Sequence, residues 1–314
     1  MALDESQQQP TRTQQLQQQP QPVPQPSYQH QAQQQFQERR QQPSTITPER
    51  LRYRPVTSAD IHLLGRQIRM EQLLLWRNKR AVIFTFMLPI AFLVFLGASN
   101  QGAHVSVLGK VSFDTFFVPG ILAFSLVSTT YANLAMSIAV QREQGVLKRV
   151  RGTPLPPWIF FAGKVGATLI NACLMVIIVL AVGRFGYHVM IRTATLPALV
   201  IDLIVGTACW SILGIAMSIA VTRAEGGSPI VTLPYIVLSF VSGVFYPAQA
   251  QPVWLQDLAR AFPLEPFARS LEAAFNPGVA APGFREVDIL IMLGWIAVGT
   301  AISLRFFRWD RQRR

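Results

Sequence analysis

From residue 81 onward, apolar runs long enough to cross a bilayer alternate with short polar stretches. Runs at about 81–99, 115–140, 158–182, 195–221, 230–246 and 287–307 predict six spanning helices. The first, at about 1.5 Å rise per residue, reaches roughly 28 Å, enough for a hydrocarbon core, and Pro89 can kink it. Ahead of the spans, residues 57–80 carry a helical period. At about 100° per residue Ile61, Leu64, Ile68 and Leu75 share one arc, while His62, Arg66, Arg69, Arg77 and Arg80 share another. This pattern predicts an amphipathic helix lying on the membrane interface, capped by Ser58 or Asp60, with its arginines on headgroups and Trp76 at the boundary.

Two further amphipathic segments fall between the fifth and sixth runs. Trp254, Leu255, Leu258 and Phe262 line one helical face and Phe267, Leu271, Ala274 and Phe275 another, with Pro263 and Pro266 expected to break the chain between them. Both are too short to span. They form either a re-entrant hairpin in the outer leaflet, with neighbouring protein covering the backbone ends, or a small subdomain outside the membrane. The expected fold is an all-α polytopic membrane protein: six transmembrane helices over residues 81–314, an N-terminal interfacial helix and an outer re-entrant helical hairpin. Residues 1–56 are set apart. The first 42 contain 18 glutamines and almost no aliphatic side chains, so this tail is expected to be disordered and, lacking an apolar signal-peptide core, to stay in the cytoplasm.

Composition agrees with a membrane chain: half of the residues are hydrophobic and 14% are charged. A net charge of +12 raises the possibility of nucleic acid. The basic residues, however, sit at the ends of apolar runs, which points to lipid headgroups and a cytoplasmic partner instead. Lys and Arg near the span ends number 15 on the side of the 141–157 and 222–229 loops and both termini, against six on the other side. The bias predicts a plasma-membrane protein with both termini cytoplasmic.

Little in the chain suits catalysis. His30, His62, His104 and His188 are scattered, no metal-ligand spacing occurs, and Cys173 and Cys209 lie inside apolar runs as small hydrophobes. No phosphate-binding loop is present, so ATP and Mg²⁺ are not expected to bind this chain. Asp202 is the acid set deep in an apolar run; it is read either as a group on a cationic cargo's path or as a structural partner of Arg184 or Arg192. Asn133 and Asn171 either line that path or hold helices together, and Gly206, Gly214 and Ser218 permit close helix contact. An intramembrane hydrolase would need companions that Asp202 lacks. A secondary transporter would need an inverted repeat and broken helices, of which neither is evident.

The loop Gln141–Pro157, QREQGVLKRVRGTPLPP, is unusual for a connector. It groups Arg142, Lys148, Arg149 and Arg151 around Glu143, with Gly145 for a turn, Leu147 as an apolar tooth, and Thr153 and Pro154 opening a proline brake. Charge alone allows a loop that only fixes topology. The order of its residues, with Leu155, Gly163 and Lys164 downstream, resembles the membrane-domain subunit of type-2 ABC exporters, the group of drug-resistance and nodulation-type permeases. A second likeness is the run Gly243 to Pro247 followed by Pro252, Trp254 and Leu255; Phe262, Pro263 and Leu264 stand where that family has Asn-Pro-Leu. The resemblance covers roughly residues 57–310. It implies a loop that docks in a separate nucleotide-binding subunit, an interfacial helix leaning on the same subunit, and an outer gate at Tyr246, Pro247, Trp254 and Phe262. It further implies a second permease chain, identical or a sister. The cargo expected from the apolar lining is a drug or lipid, with a glycan as the alternative.

Overall fold

The computed structural model describes residues 58–100, 104–105, 111–153, 155–189, 193–246, 251–276, 278 and 283–307. The glutamine-rich tail, Pro154, Arg192 and Pro247 lie outside these residues. Helix α1, Ser58–Arg77, stops short of the expected Arg80 because Asn78 breaks it: the Asn78 Oδ1 accepts from the Ala81 N–H at 3.2 Å and caps the next helix. That helix, α2, runs Lys79–Ser99 and widens to a π-turn over Ile83–Met87. Pro89 offers no N–H to the Thr85 carbonyl, so the regular ladder cannot continue there, and the π-turn takes up the misfit.

A two-residue antiparallel pair, β1 (His104–Val105) and β2 (Val111–Ser112), leads into α3, Phe113–Glu143. This helix is the axis of the bundle. Of its apolar window 78% is buried, against 17% for the last helix, and every residue from Phe116 to Tyr131 is buried. A short α4 (Val146–Arg151) precedes the long α5 (Pro157–Gly186); α6 (Leu196–Met217) and α7 (Gly227–Val241) follow. The hairpin is α8 (Val253–Ala261) and α9 (Leu264–Phe275), and α10 (Glu286–Phe306) closes the bundle. Helices α2, α3, α5, α6 and α10 are long and apolar enough to cross a membrane. Helix α7, with 15 residues, reaches only about 22 Å and is shorter than the fifth expected span.

The hairpin divides unevenly. Leu264, Phe267, Leu271 and Ala274 on α9 are fully buried against α3, α6 and α10, whereas Trp254 and Leu258 on α8 are exposed. Gly206 on α6 leaves the notch that the Phe267 ring fills, and the Thr195 hydroxyl donates to the Ala274 carbonyl at 2.8 Å. The chain breaks at Phe262–Pro263. Pro266 does not add a break but sits in the first turn of α9, where its missing N–H leaves no helical bond unmade. The outer surface of the bundle is strongly apolar, with Phe84, Phe95, Ile177 and Leu304 all well exposed, as a lipid-facing surface requires.

Candidate functional site

The site is built at the end of the bundle where α3 gives way to α4. Helix α3 stops at Glu143, and Gly145, with φ of 70°, makes the left-handed step that turns the chain into α4. Leu147 then points inward. It is fully buried in a cluster with Leu134 and Ile138 of α3 and Phe160 of α5, flanked by Val150, Phe161, Ile215 and Phe307. Its neighbours Lys148 and Arg149 face outward and are exposed. Gly152, exposed Thr153 and the extended Pro156 bring the chain to α5. The result is a one-and-a-half-turn helix rooted by a single leucine, with two cations on its open face. Arg151 lies on the same helix, but its side chain is not among those described.

Two residues of the expected loop do other work. Arg142 donates to the carbonyls of Ser218 at 2.8 Å and of Val221, both just beyond α6. The Glu143 carboxylate accepts from the Ala224 N–H at 2.7 Å. Together they staple residues 218–224 to the end of α3. The sequence groups Arg142, Lys148, Arg149 and Arg151 around Glu143; the structure turns Arg142 and Glu143 to a second loop instead.

Beneath this end lies a node that sequence reasoning missed. The Lys164 Nζ on α5 meets the Glu71 Oε2 on α1 at 2.8 Å, with side-chain exposures of 1% and 8%. Gln141 on α3 donates to both oxygens of Glu71 at 3.1 and 3.2 Å, Gln67 donates at 3.1 Å, and Lys164 donates to the Ser137 hydroxyl at 2.9 Å. The Lys164 ammonium also lies 5.2 Å from the centre of the Phe160 ring. Three helices, α1, α3 and α5, are thereby joined by one charge pair, and the Gln72 amide adds a bond to the Ala167 carbonyl at 2.8 Å. Gly163 and Gly166 let α1 approach closely enough, receiving Gln67 and Ile68. Lys164 therefore does not snorkel to an interface.

Helix α1 also differs from a simple interfacial helix. Its buried seam is centred on Glu71, and Ile61, Met70, Leu73 and Leu74 are exposed. Arg66, Arg69 and Arg77 are exposed, and Trp76 stacks on Phe86 at 5.8 Å. Glu71 falls on the arc of Leu64, Ile68 and Leu75, so the apolar stripe holds an acid. That acid and the lone lysine inside a span were the available signal: two opposite charges, each in a place where an unpaired charge is unstable.

The other expected path and gate residues lie apart. Asn133 donates to the Thr85 hydroxyl at 2.7 Å and ties α3 to α2. Asn171 is buried on α5. Asp202 is fully buried, and among the described residues neither carboxylate oxygen has a hydrogen-bond donor; no ion pair forms with Arg184, and its charged neighbour is Asp288. Tyr246 and Trp254 are exposed, and Phe262 stacks on Trp295 at 6.1 Å. The hairpin end carries charges that the sequence did not single out. Arg269 bonds Asp288 and, at 3.1 Å, Glu265; Arg285 also engages Asp288. Burial pushes Glu272 up to about 7 against the pull of Arg285, and burial raises Glu265 as well. Among the described residues no group of His, Cys, Asp and Glu has the geometry of a metal site.

Residues 63–275 match the model of the ABC-2 type transporter family. The "Probable multidrug ABC transporter permease YbhR" of Escherichia coli (strain K12) is 28% identical over 160 residues, which is 50% of this chain and 43% of that protein. The match thus spans less than half of that relative's length. "Inner membrane transport permease YadH" of the same strain is 24% identical over 177 residues, 56% of this chain and 68% of its own. A Bacillus subtilis (strain 168) protein named as a transport permease, YvfS, is 21% identical over 243 residues, 74% of this chain and 92% of its own.

Proposed function

Since the chain belongs to the ABC-2 type transporter family and is a transporter permease, we propose that it exports a hydrophobic or amphipathic compound, driven by a separate nucleotide-binding subunit that grips α4. The observation that carries this reading is the build of α4. Leu147 is sunk among α3, α5 and α6 side chains while Lys148 and Arg149 are exposed. A load applied to the open face passes through a rigid packed root into three helices.

The basic end then lies in the cytoplasm, by the bias of Lys and Arg, in an inner membrane. ATP-driven closure of the partner subunits displaces α4. The buried Glu71–Lys164 pair makes α1 follow α5, and the Arg142–Glu143 staple makes the loop after α6 follow α3. Rigid tilting of these helices against a second permease chain opens a path between the two, with the outer gate at Tyr246, Pro247, Trp254 and Phe262. The apolar surface of the bundle favours a drug-like or lipid cargo, and the word multidrug in the name of the Escherichia coli relative agrees with the first of these.

The test has two arms. Cysteines placed at Lys148 and Arg149 should crosslink to the ATPase in membranes and be labelled from the cytoplasmic side alone. Vesicles holding this chain with its ATPase should show ATP-dependent efflux of a hydrophobic dye. Labelling from the outer side, or no crosslink in a complex that hydrolyses ATP, would overturn the proposal.

A further inference from the structure

At the hairpin end of the bundle a small cavity lies between α3, α9 and the chain just beyond α7. Phe116 and Gly120 of α3, Ser242, and Glu265, Arg269 and Glu272 of α9 line it. Gly120 brings the walls together, since a Cβ there would collide with the Val244 carbonyl. The space measures about 20 Å³, and roughly 10–15 Å³ is enough for one water-sized group. Two polar atoms in its walls are unused. The Ser239 hydroxyl, one turn earlier, donates to the Tyr235 carbonyl at 2.7 Å, whereas the Ser242 Oγ, on a residue only 2% exposed, has no partner among the described residues. Glu265, 5% exposed, gives its Oε1 to Arg269 at 3.1 Å, and its buried Oε2 has no partner among the described residues either.

The local charge says what fits. Arg269 is spent, its nitrogens being shared between Asp288 and the Glu265 Oε1, and Arg285 is also held by Asp288. Glu265, Glu272 and Asp288 thus set three carboxylates against two guanidiniums; Arg260, farther out, is matched by Asp257 at 3.2 Å. The α3 and α7 sides of the cavity carry no charge. A water there would satisfy the orphan atoms and leave the excess negative charge in place. A guanidinium or a quaternary ammonium is larger than the space, and among the described residues no group of side chains has the geometry of a metal site. A primary ammonium is the size of a water, carries the missing charge and offers three N–H donors.

We propose that this cavity binds a primary ammonium group, with the Glu265 Oε2 and the Ser242 Oγ accepting its N–H bonds and Glu272 at the rim balancing its charge. The group belongs either to a free amine or to the head of an aminolipid, which share this chemistry. Binding requires neither the ATPase nor a cargo.

The test uses the purified full chain in neutral detergent at pH 8 and has two arms. One compares thermal stabilisation by n-butylamine and by n-butyltrimethylammonium. The other compares retention of phosphatidylethanolamine and phosphatidylcholine with matched acyl chains by native mass spectrometry. The primary amine should be favoured roughly tenfold or more in at least one arm, and the arm that shows it identifies the source. Ser242→Ala, which breaks no bond of the fold, should weaken the favoured ligand about tenfold, the scale of a hydrogen bond to a charged group. Glu265→Gln should abolish the preference. Glu272, faced by Arg285, Arg269 and Glu265, is raised to about 7, so binding should weaken about tenfold from pH 8 to pH 6 as it takes up its proton. Glu272→Gln should remove that dependence. No preference in either arm, unchanged binding in Ser242→Ala or in a folded Glu265→Gln, or binding indifferent to pH would overturn the proposal. Lost efflux with amine binding intact would count against the exporter reading alone.

Discussion

Replacing Glu71 by Leu should be far more damaging than replacing both Glu71 and Lys164. With Glu71 gone, Lys164, at 1% side-chain exposure, keeps only the Ser137 hydroxyl at 2.9 Å and the Phe160 ring. Removing one partner of a buried pair typically destabilises by about 3–5 kcal/mol, because the other charge stays desolvated and uncompensated. Lys164→Met leaves Glu71 with the Gln67 and Gln141 amides and should lose a similar amount. Glu71→Leu with Lys164→Met leaves no orphan charge; the remaining penalty is the Gln141 amide without its acceptor, about 1–3 kcal/mol. The cycle should therefore report a coupling of about 6 kcal/mol, and no less than about 3. Thermal unfolding of the detergent-purified variants is the assay. At about 2–4 °C per kcal/mol each single variant should lose roughly 6–20 °C, with the double variant in between, and added salt should change little. Single losses below about 3 °C, or a gap that salt erases, would refute the reasoning, since that is how a solvent-screened pair behaves.

Other expectations test the remaining contacts. Glu143→Ala should leave insertion intact and cost about 1.5–3 kcal/mol of thermal stability, the scale of a hydrogen bond to a charged group, while lowering efflux per ATP hydrolysed; unchanged coupling would remove the staple's role. Gly145→Ala should destabilise by about 1–2 kcal/mol through backbone strain alone, since a Cβ there meets no other atom within 4 Å. Gly206→Val should lose about 1–3 kcal/mol by displacing the Phe267 ring, and faster proteolysis between α8 and α9 would report the undocked hairpin. Glu272 has a folded pKa raised to about 7 from 4.5, so it favours the folded state while protonated, and that support is lost as pH rises from about 4.5 through 7. The melting temperature should fall across that interval, Arg285, Arg269 and Glu265 being the charges that face it, and Glu272→Gln should flatten the fall.

How much of this was legible in the sequence depends on which interactions are local. Spans over α3, α5, α6 and α10 follow from unbroken apolar runs, because a run long enough to cross the bilayer has few other ways to satisfy its backbone. The two faces of the hairpin were visible as periodicity, yet their fates were not: the segment bearing Phe267 and Leu271 is buried and the one bearing Trp254 is exposed, a choice set by Gly206 and Thr195 on distant elements. Lys164 read as a snorkelling lysine because its partner is 93 residues away. Arg142 and Glu143 read as part of an outward cluster because residue spacing reports nothing about the carbonyls of Ser218 and Val221. Asp202 was conspicuous by depth alone, and its neighbour Asp288 lies on a different helix.

The bonds from Arg142 and Glu143 to residues 218–224 set the boundaries of any graft between related permeases. Moving segment 141–157 by itself into a foreign scaffold would carry over a guanidinium and a carboxylate fitted to a receptor loop left behind, while the host's own loop lost its cover. Exchanged as a set, the two segments travel with their mutual fit intact. Under the proposed function, swapping motor specificity between such chains is therefore a two-piece operation, even though α4 itself has only six residues.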